Sequence, residues 1–138
     1  MKETHVQKLL NALWGTVISN LEMNLLTNTL SLEIEQHNKK GIEHHKLIFI
    51  DVSAYYYVKD EINRRFNFYD QEETGYLQLS TVTYYGKGLN EICVTLPQEE
   101  EWVKQYPTKF NIVLEIWESV VFIEARKVQF NSQILDLK

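Results

Sequence analysis

Within residues 37–45 lie His37, Glu43, His44 and His45, the densest group of titratable side chains in the chain. Imidazole and carboxylate together are the equipment of a metal site or a proton relay. Their spacing argues against either use. Adjacent residues on an extended strand point to opposite faces, so His44 and His45 cannot both approach one ion. They read as solvent-exposed loop and strand-edge residues, and no metal is expected. The one cysteine, Cys93, has no basic neighbour in sequence to activate it and lies in the apolar run Ile92-Cys93-Val94, so it is expected to be buried and inert. Gly86-Lys87-Gly88 lacks the longer glycine frame and the closing Lys-Ser/Thr of a phosphate loop, and it reads as a hairpin turn. No cofactor is expected. Asp70, Glu72, Glu73 and the run Glu99-Glu100-Glu101 supply carboxylates. Glycoside hydrolysis would require two of them facing each other across a cleft. Charge runs normally lie in solvent, and these are read as a solvated face.

The aromatic residues point to recognition. Tyr55, Tyr56 and Tyr57 are consecutive, so a strand must divide them between its two faces. Phe66, Phe68 and Tyr69 occur in an otherwise polar segment, directly before Asp70, Glu72 and Glu73. Aromatic rings flanked by carboxylates at a wet surface suit a protein interface. These nine residues, with Trp117, form the candidate partner-binding set; the competing reading is that the rings are core.

Composition sets the limits. The chain has 138 residues, 44% of them hydrophobic and 24% charged, which fits a single domain (1–138) able to bury a core. One cysteine excludes an internal disulfide and a Cys-rich zinc site. A net charge of -5 disfavours binding to a phosphate backbone, so no nucleic-acid partner is expected. The N-terminus carries no apolar run of signal length, and the longest apolar stretches are strand-sized, so no membrane association and a cytoplasmic address are expected.

Period and punctuation place the elements. Val6, Leu9, Leu10, Leu13 and Trp14 form one helical stripe, with Thr4 placed to cap it and Gly15 to stop it. The period then becomes two. Leu21, Met23 and Leu25 face Ile34, Leu32 and Leu30 across a turn at Thr27–Asn28, a register that also sets Glu22 against Glu33. Residues 36–43 read as a polar loop with a glycine hinge. His45–Val58 is too long for a simple surface strand and should bend or bulge near Asp51–Ser53. Strands are also expected over 76–85 and 91–96. Pro97 and the glutamates behind it suit a helical turn, with Trp102, Val103 and Tyr106 facing inward and Pro107 stopping it. The last hairpin turns at Glu118–Ser119, pairing Ile116 with Val121, Leu114 with Ile123 and Ile112 with Ala125. A phase change near 125–127 precedes Val128 and Phe130. The expected fold is mainly β (α+β): an antiparallel sheet, a two-sheet sandwich or a partial barrel, with the N-terminal helix packed on it.

Three stretches carry a resemblance. They are Leu13-Trp14-Gly15 leading into the Leu21–Ile34 hairpin, the strand Leu47–Val52, and the closing Phe110–Ser119 with Ile123-Glu124-Ala125. Together they resemble the YxiG-like group of small uncharacterised proteins from Gram-positive bacteria, over nearly the whole chain. Such relatives tend to sit among genes of contact-dependent polymorphic toxins. The resemblance therefore implies an immunity-type or accessory role, and it assigns no functional residue. The leading expectation is a non-enzymatic protein-binding domain, an immunity-like protein that neutralises a cationic toxin domain. Two readings stand beside it: an enzyme or binding protein for a small molecule, using carboxylates and histidines brought together by the fold, and a self-associating module.

Overall fold

The computed structural model describes residues 2–59, 77–89, 91–95, 105–116 and 119–138. It comprises α1 (Lys2–Asn11), β1 (Thr16–Asn24), β2 (Thr29–Asn38), β3 (Gly41–Lys59), β4 (Leu77–Tyr84), β5 (Ile92–Thr95), β6 (Gln105–Thr108), β7 (Ile112–Ile116), β8 (Ser119–Phe130) and β9 (Gln133–Asp136). Seven strands form one antiparallel sheet in the order β3-β2-β1-β4-β7-β8-β9, and β3 pairs with β8 as well. The pairings thus run in a ring, as expected of a mainly β chain with one helix on its sheet. The ring is not a closed barrel. Among the described residues, β1 meets β4 over Thr16–Ile18 and Leu77–Leu79, a short seam of the ring. Strands β5 and β6 form a separate two-stranded ribbon.

Beyond that seam α1 takes the place of a strand. Val6, Leu10 and Leu13 are buried in the core. The Gln7 carboxamide donates to the Val82 carbonyl at 2.9 Å and accepts from the Tyr84 amide at 2.8 Å, as a neighbouring peptide would. An edge that would otherwise present open backbone groups is covered. Two details of the expected helix change. It starts at Lys2, so Thr4 lies inside it and does not cap it. It stops at Asn11, so the stripe's phase is lost, and Trp14 swings out to 73% exposure while Leu13 still reaches the core. Gly15, at φ +78°, takes the chain out of that turn, a conformation costly to other L-residues.

Both expected hairpins form, each two residues out of the expected register. Met23 faces Leu30 and Leu21 faces Leu32, so the turn is the four residues 25–28, and Glu22 lies opposite Ser31 and not Glu33. Asn24 Oδ1 accepts from the amides of Leu26 and Thr27, and Asn28 adopts φ +54°. That turn chemistry outweighs the additional Leu25–Leu30 contact: Leu25 is 69% exposed. In the last hairpin, Ile116 faces Ser119, Leu114 faces Val121 and Ile112 faces Ile123. A shift of two keeps the side chains that remain in the strands on their expected faces. Residues 36–43 are strand and not loop, because β2 and β3 continue to a tight turn between Asn38 and Gly41.

The bend in β3 falls where expected. Asp51 sits at φ +55°, and the register against β8 shifts between Val52 and Ala54. The strand pairs with β2 over Gly41–Ile50 on one edge and with β8 over Leu47–Lys59 on the other. Burial on β8 likewise changes phase, from Ala125 to Val128. The inner face packs Leu32, Ile34, Leu47, Phe49, Leu79, Ile112, Leu114 and Ile123 into the core. Pro107 lies within β6, which pairs with β5, and does not stop a helix there; the helical turn expected behind Pro97, with Trp102 and Val103, lies outside the described residues.

Candidate functional site

The C-terminal half of β3 is where the fold exposes aromatic surface. Tyr55, Tyr56 and Tyr57 are 46%, 54% and 52% exposed, on a strand whose Leu47 and Phe49 are fully buried. The cause is topological. β2 ends at Thr29 opposite Ile50, so among the described residues no strand pairs with Ser53–Lys59 on that edge, while β8 pairs with the other.

The three rings divide between faces, as strand geometry requires. Tyr55 and Tyr57 lie opposite Ile123 and Val121, both core residues, and therefore share the inner face. The Tyr57 hydroxyl lies 3.1 Å from Ser119 Oγ. Tyr56 lies opposite Phe122 on the outer face and stacks on it, centroids 6.0 Å apart. Phe122 in turn packs on the buried Phe110 at 5.8 Å. The row Tyr56–Phe122–Phe110 was not foreseen. The remaining candidates, Phe66, Phe68, Tyr69, Asp70, Glu72, Glu73 and Trp117, lie outside the described residues.

Beside this end of β3 stands Glu124. Its carboxylate accepts from Thr108 Oγ1 at 2.8 Å and from Lys138 Nζ at 2.9 Å, tying β6 and the C-terminus to β8. Burial pushes its pKa up, but hydrogen bonds from Lys138, Thr108 and Ser53, with the Lys138 charge, outweigh that and hold it below the usual value.

The histidines do not converge. His37 and His44 lie on one face and flank Glu35, at 3.6 Å and 4.0 Å from its carboxylate oxygens. His45 points to the other face, packs on Phe130 and has Glu43 3.5 Å from its Nε2. Among the described residues no group of three or more His, Cys, Asp or Glu side chains could hold a metal ion. Cys93 corrects an expectation: it is exposed, because among the described residues β5 pairs only with β6 in a thin ribbon. Ile92, Val94 and Tyr106 on the same ribbon are exposed as well. No helix of the described residues is long and apolar enough to cross a membrane.

The family model for YxiG-like proteins matches residues 6–134, from the first buried residue of α1 to β9. The chain belongs to the YxiG-like family. A relative within reach is the uncharacterised protein YxiG of Bacillus subtilis (strain 168), 25% identical over 119 residues, covering 86% of this chain and 81% of that one. The match spans every strand of the ring, so the YxiG-like unit is the whole sheet with its helix and not a local motif. It includes the tyrosine end of β3 without assigning it a role.

Proposed function

We propose that this YxiG-like domain is a non-enzymatic, cytoplasmic binding protein of the immunity type, engaging a cationic protein domain through the tyrosine end of β3. The observation that carries this is the half-exposure of Tyr55, Tyr56 and Tyr57 on the strand whose Leu47, Phe49 and Val52 enter the core. Tyrosine supplies a large rigid contact area with few rotatable bonds and a hydroxyl for a wet rim, which is why interfaces favour it. A strand edge with no described neighbour adds backbone donors and acceptors beside the rings. The net charge of -5 supports steering toward a basic partner. The cationic toxin domains implied by the gene neighbourhood of such proteins are the partner class that fits.

The test is association with a cationic toxin domain, sought among the products of neighbouring genes, comparing the native chain with Y55S/Y56S. Tyr57 is left in place because its hydroxyl contacts Ser119. The expected result is a melting curve close to native and an affinity lower by about tenfold or more, as for loss of central aromatic contacts. Equal affinity for the two proteins would move the interface elsewhere. No affinity for the toxin domain, with turnover of a small molecule instead, would reject the binding-protein reading.

A further inference from the structure

The turn between β8 and β9 is docked onto β3 through one residue, by its backbone and its side chain. Asn131, at φ +55°, donates its amide to the Lys46 carbonyl at 2.9 Å, and its Oδ1 accepts from the Lys46 amide at 3.0 Å. The Lys46 amide can only donate, so the carboxamide orientation is fixed: its oxygen faces Lys46 and its nitrogen faces away. That nitrogen, Nδ2, lies 3.0 Å from His45 Nδ1. An amide NH₂ is likewise only a donor. His45 Nδ1 must therefore present a lone pair, which places the ring proton of the neutral imidazole on Nε2, toward Glu43 Oε2 at 3.5 Å. The ring is packed against Phe130, centroids 5.2 Å apart, with its side chain only 18% exposed, which opposes a flip that would exchange the nitrogens.

We propose that His45 is a proton-operated latch: neutral, it holds the β8–β9 turn against β3 through Asn131, and protonated, it releases that turn. Protonation would set an N–H of His45 against the N–H of Asn131. Rotating the carboxamide to offer its oxygen would set Nδ2 against the Lys46 amide, so one bond is lost in either arrangement. Glu43 favours the charged ring, but its side chain is 59% exposed and solvent screens the attraction. The other groups around the same hollow are Glu33 of β2, Ser19 of β1, and His44 and Lys46 of β3. None of them replaces the Asn131 contact in the bonds made here. From β8, Gln129 Nε2 holds the Asn131 carbonyl at 2.7 Å, so the turn moves as a unit with its flanking residues. What the latch controls is β9, which among the described residues pairs only with β8 and is followed by the buried Leu137.

The test uses the full chain labelled with ¹⁵N. At neutral pH the His45 ring should be in the Nε2–H tautomer. Acidification to about pH 5, where imidazole charges, should lower the protection of the Lys46 amide and of Gln133–Asp136 about tenfold relative to intrinsic exchange. Ile112–Ile116 of β7 should be unchanged. In N131D a carboxylate can accept from both Lys46 and the imidazolium, so protection should hold or rise in acid. An Nδ1–H tautomer at neutral pH would overturn the latch, as would an equal loss across β7 or an N131D variant that loosens as the native chain does. Should N131D not fold, H45F decides, since it keeps a ring on Phe130 and removes the proton site. Flat protection with pH in H45F supports the latch, and the native fall overturns it.

Discussion

Asn111 is 4% exposed, and its carboxamide pairs with the backbone of Ala125, donating at 2.8 Å and accepting at 3.1 Å. Gln7 does the same for β4, and at β3 the Oδ1 of Asn131 accepts from the Lys46 amide while the Asn131 backbone amide donates to the Lys46 carbonyl. Each stands where a strand ladder would otherwise stop, so a side-chain amide replaces a missing peptide. An amide costs little to bury there because its donor and acceptor are both satisfied. Glu124 is the charged counterpart. Its pKa is lowered in the fold, so its contribution is fully present above the ordinary carboxylate range and is lost as pH falls through the lower folded value. E124Q keeps the shape and loses the charge. It should be about 1 kcal/mol less stable at neutral pH, given partial exposure of Lys138, and the gap should close in acid. Urea melts of both proteins across pH check this; a gap that widens in acid would reverse the sign.

At the scale of elements, α1 is the piece whose role depends on a neighbour. Its apolar stripe reports burial, but the stripe alone does not reveal that Gln7 serves as a strand partner for Val82 and Tyr84. Q7A removes both bonds at a partly buried edge and should cost about 1–3 kcal/mol. Q7E, which only accepts, should be worse because it faces the Val82 carbonyl. Denaturant midpoints for the two variants separate the cases. A loss below about 0.5 kcal/mol in Q7A would mean that the helix is held by Val6, Leu10 and Leu13 alone.

At the scale of the whole molecule, β3 joins β2 to β8: Leu47–Ile50 pairs with both, and beyond the bend the strand continues along β8 to Lys59. The backbone at Asp51, φ +55°, is the strained point. D51V should cost about 1–2 kcal/mol, the penalty of a left-handed conformation for a β-branched residue. D51G should stay within about 0.5 kcal/mol of native, since glycine accepts the conformation at some entropic cost. Both variants lose the Arg126 contact, which is exposed and worth little. The difference between the two melts therefore isolates backbone strain. Equal loss in both would place the bend's cost elsewhere.

The alternation of Leu30, Leu32 and Ile34, and of Ile112, Leu114 and Ile116, determined the strands and their buried faces, because side-chain direction in a strand has a period of two. The length of His45–Val58 together with Asp51–Ser53 determined the bend. The hairpin registers were decided by turn bonding, as at Asn24, which a face-matching argument cannot distinguish from a shift of two. The exposure of Tyr55–Tyr57 and Cys93 was decided by strand order: β2 stops opposite Ile50, and among the described residues β5 meets only β6. The Glu124 and Asn131 networks join residues far apart in sequence, 85 positions in the case of Lys46 and Asn131. Local pattern carries the face a residue occupies; only strand order decides what, if anything, lies across from it.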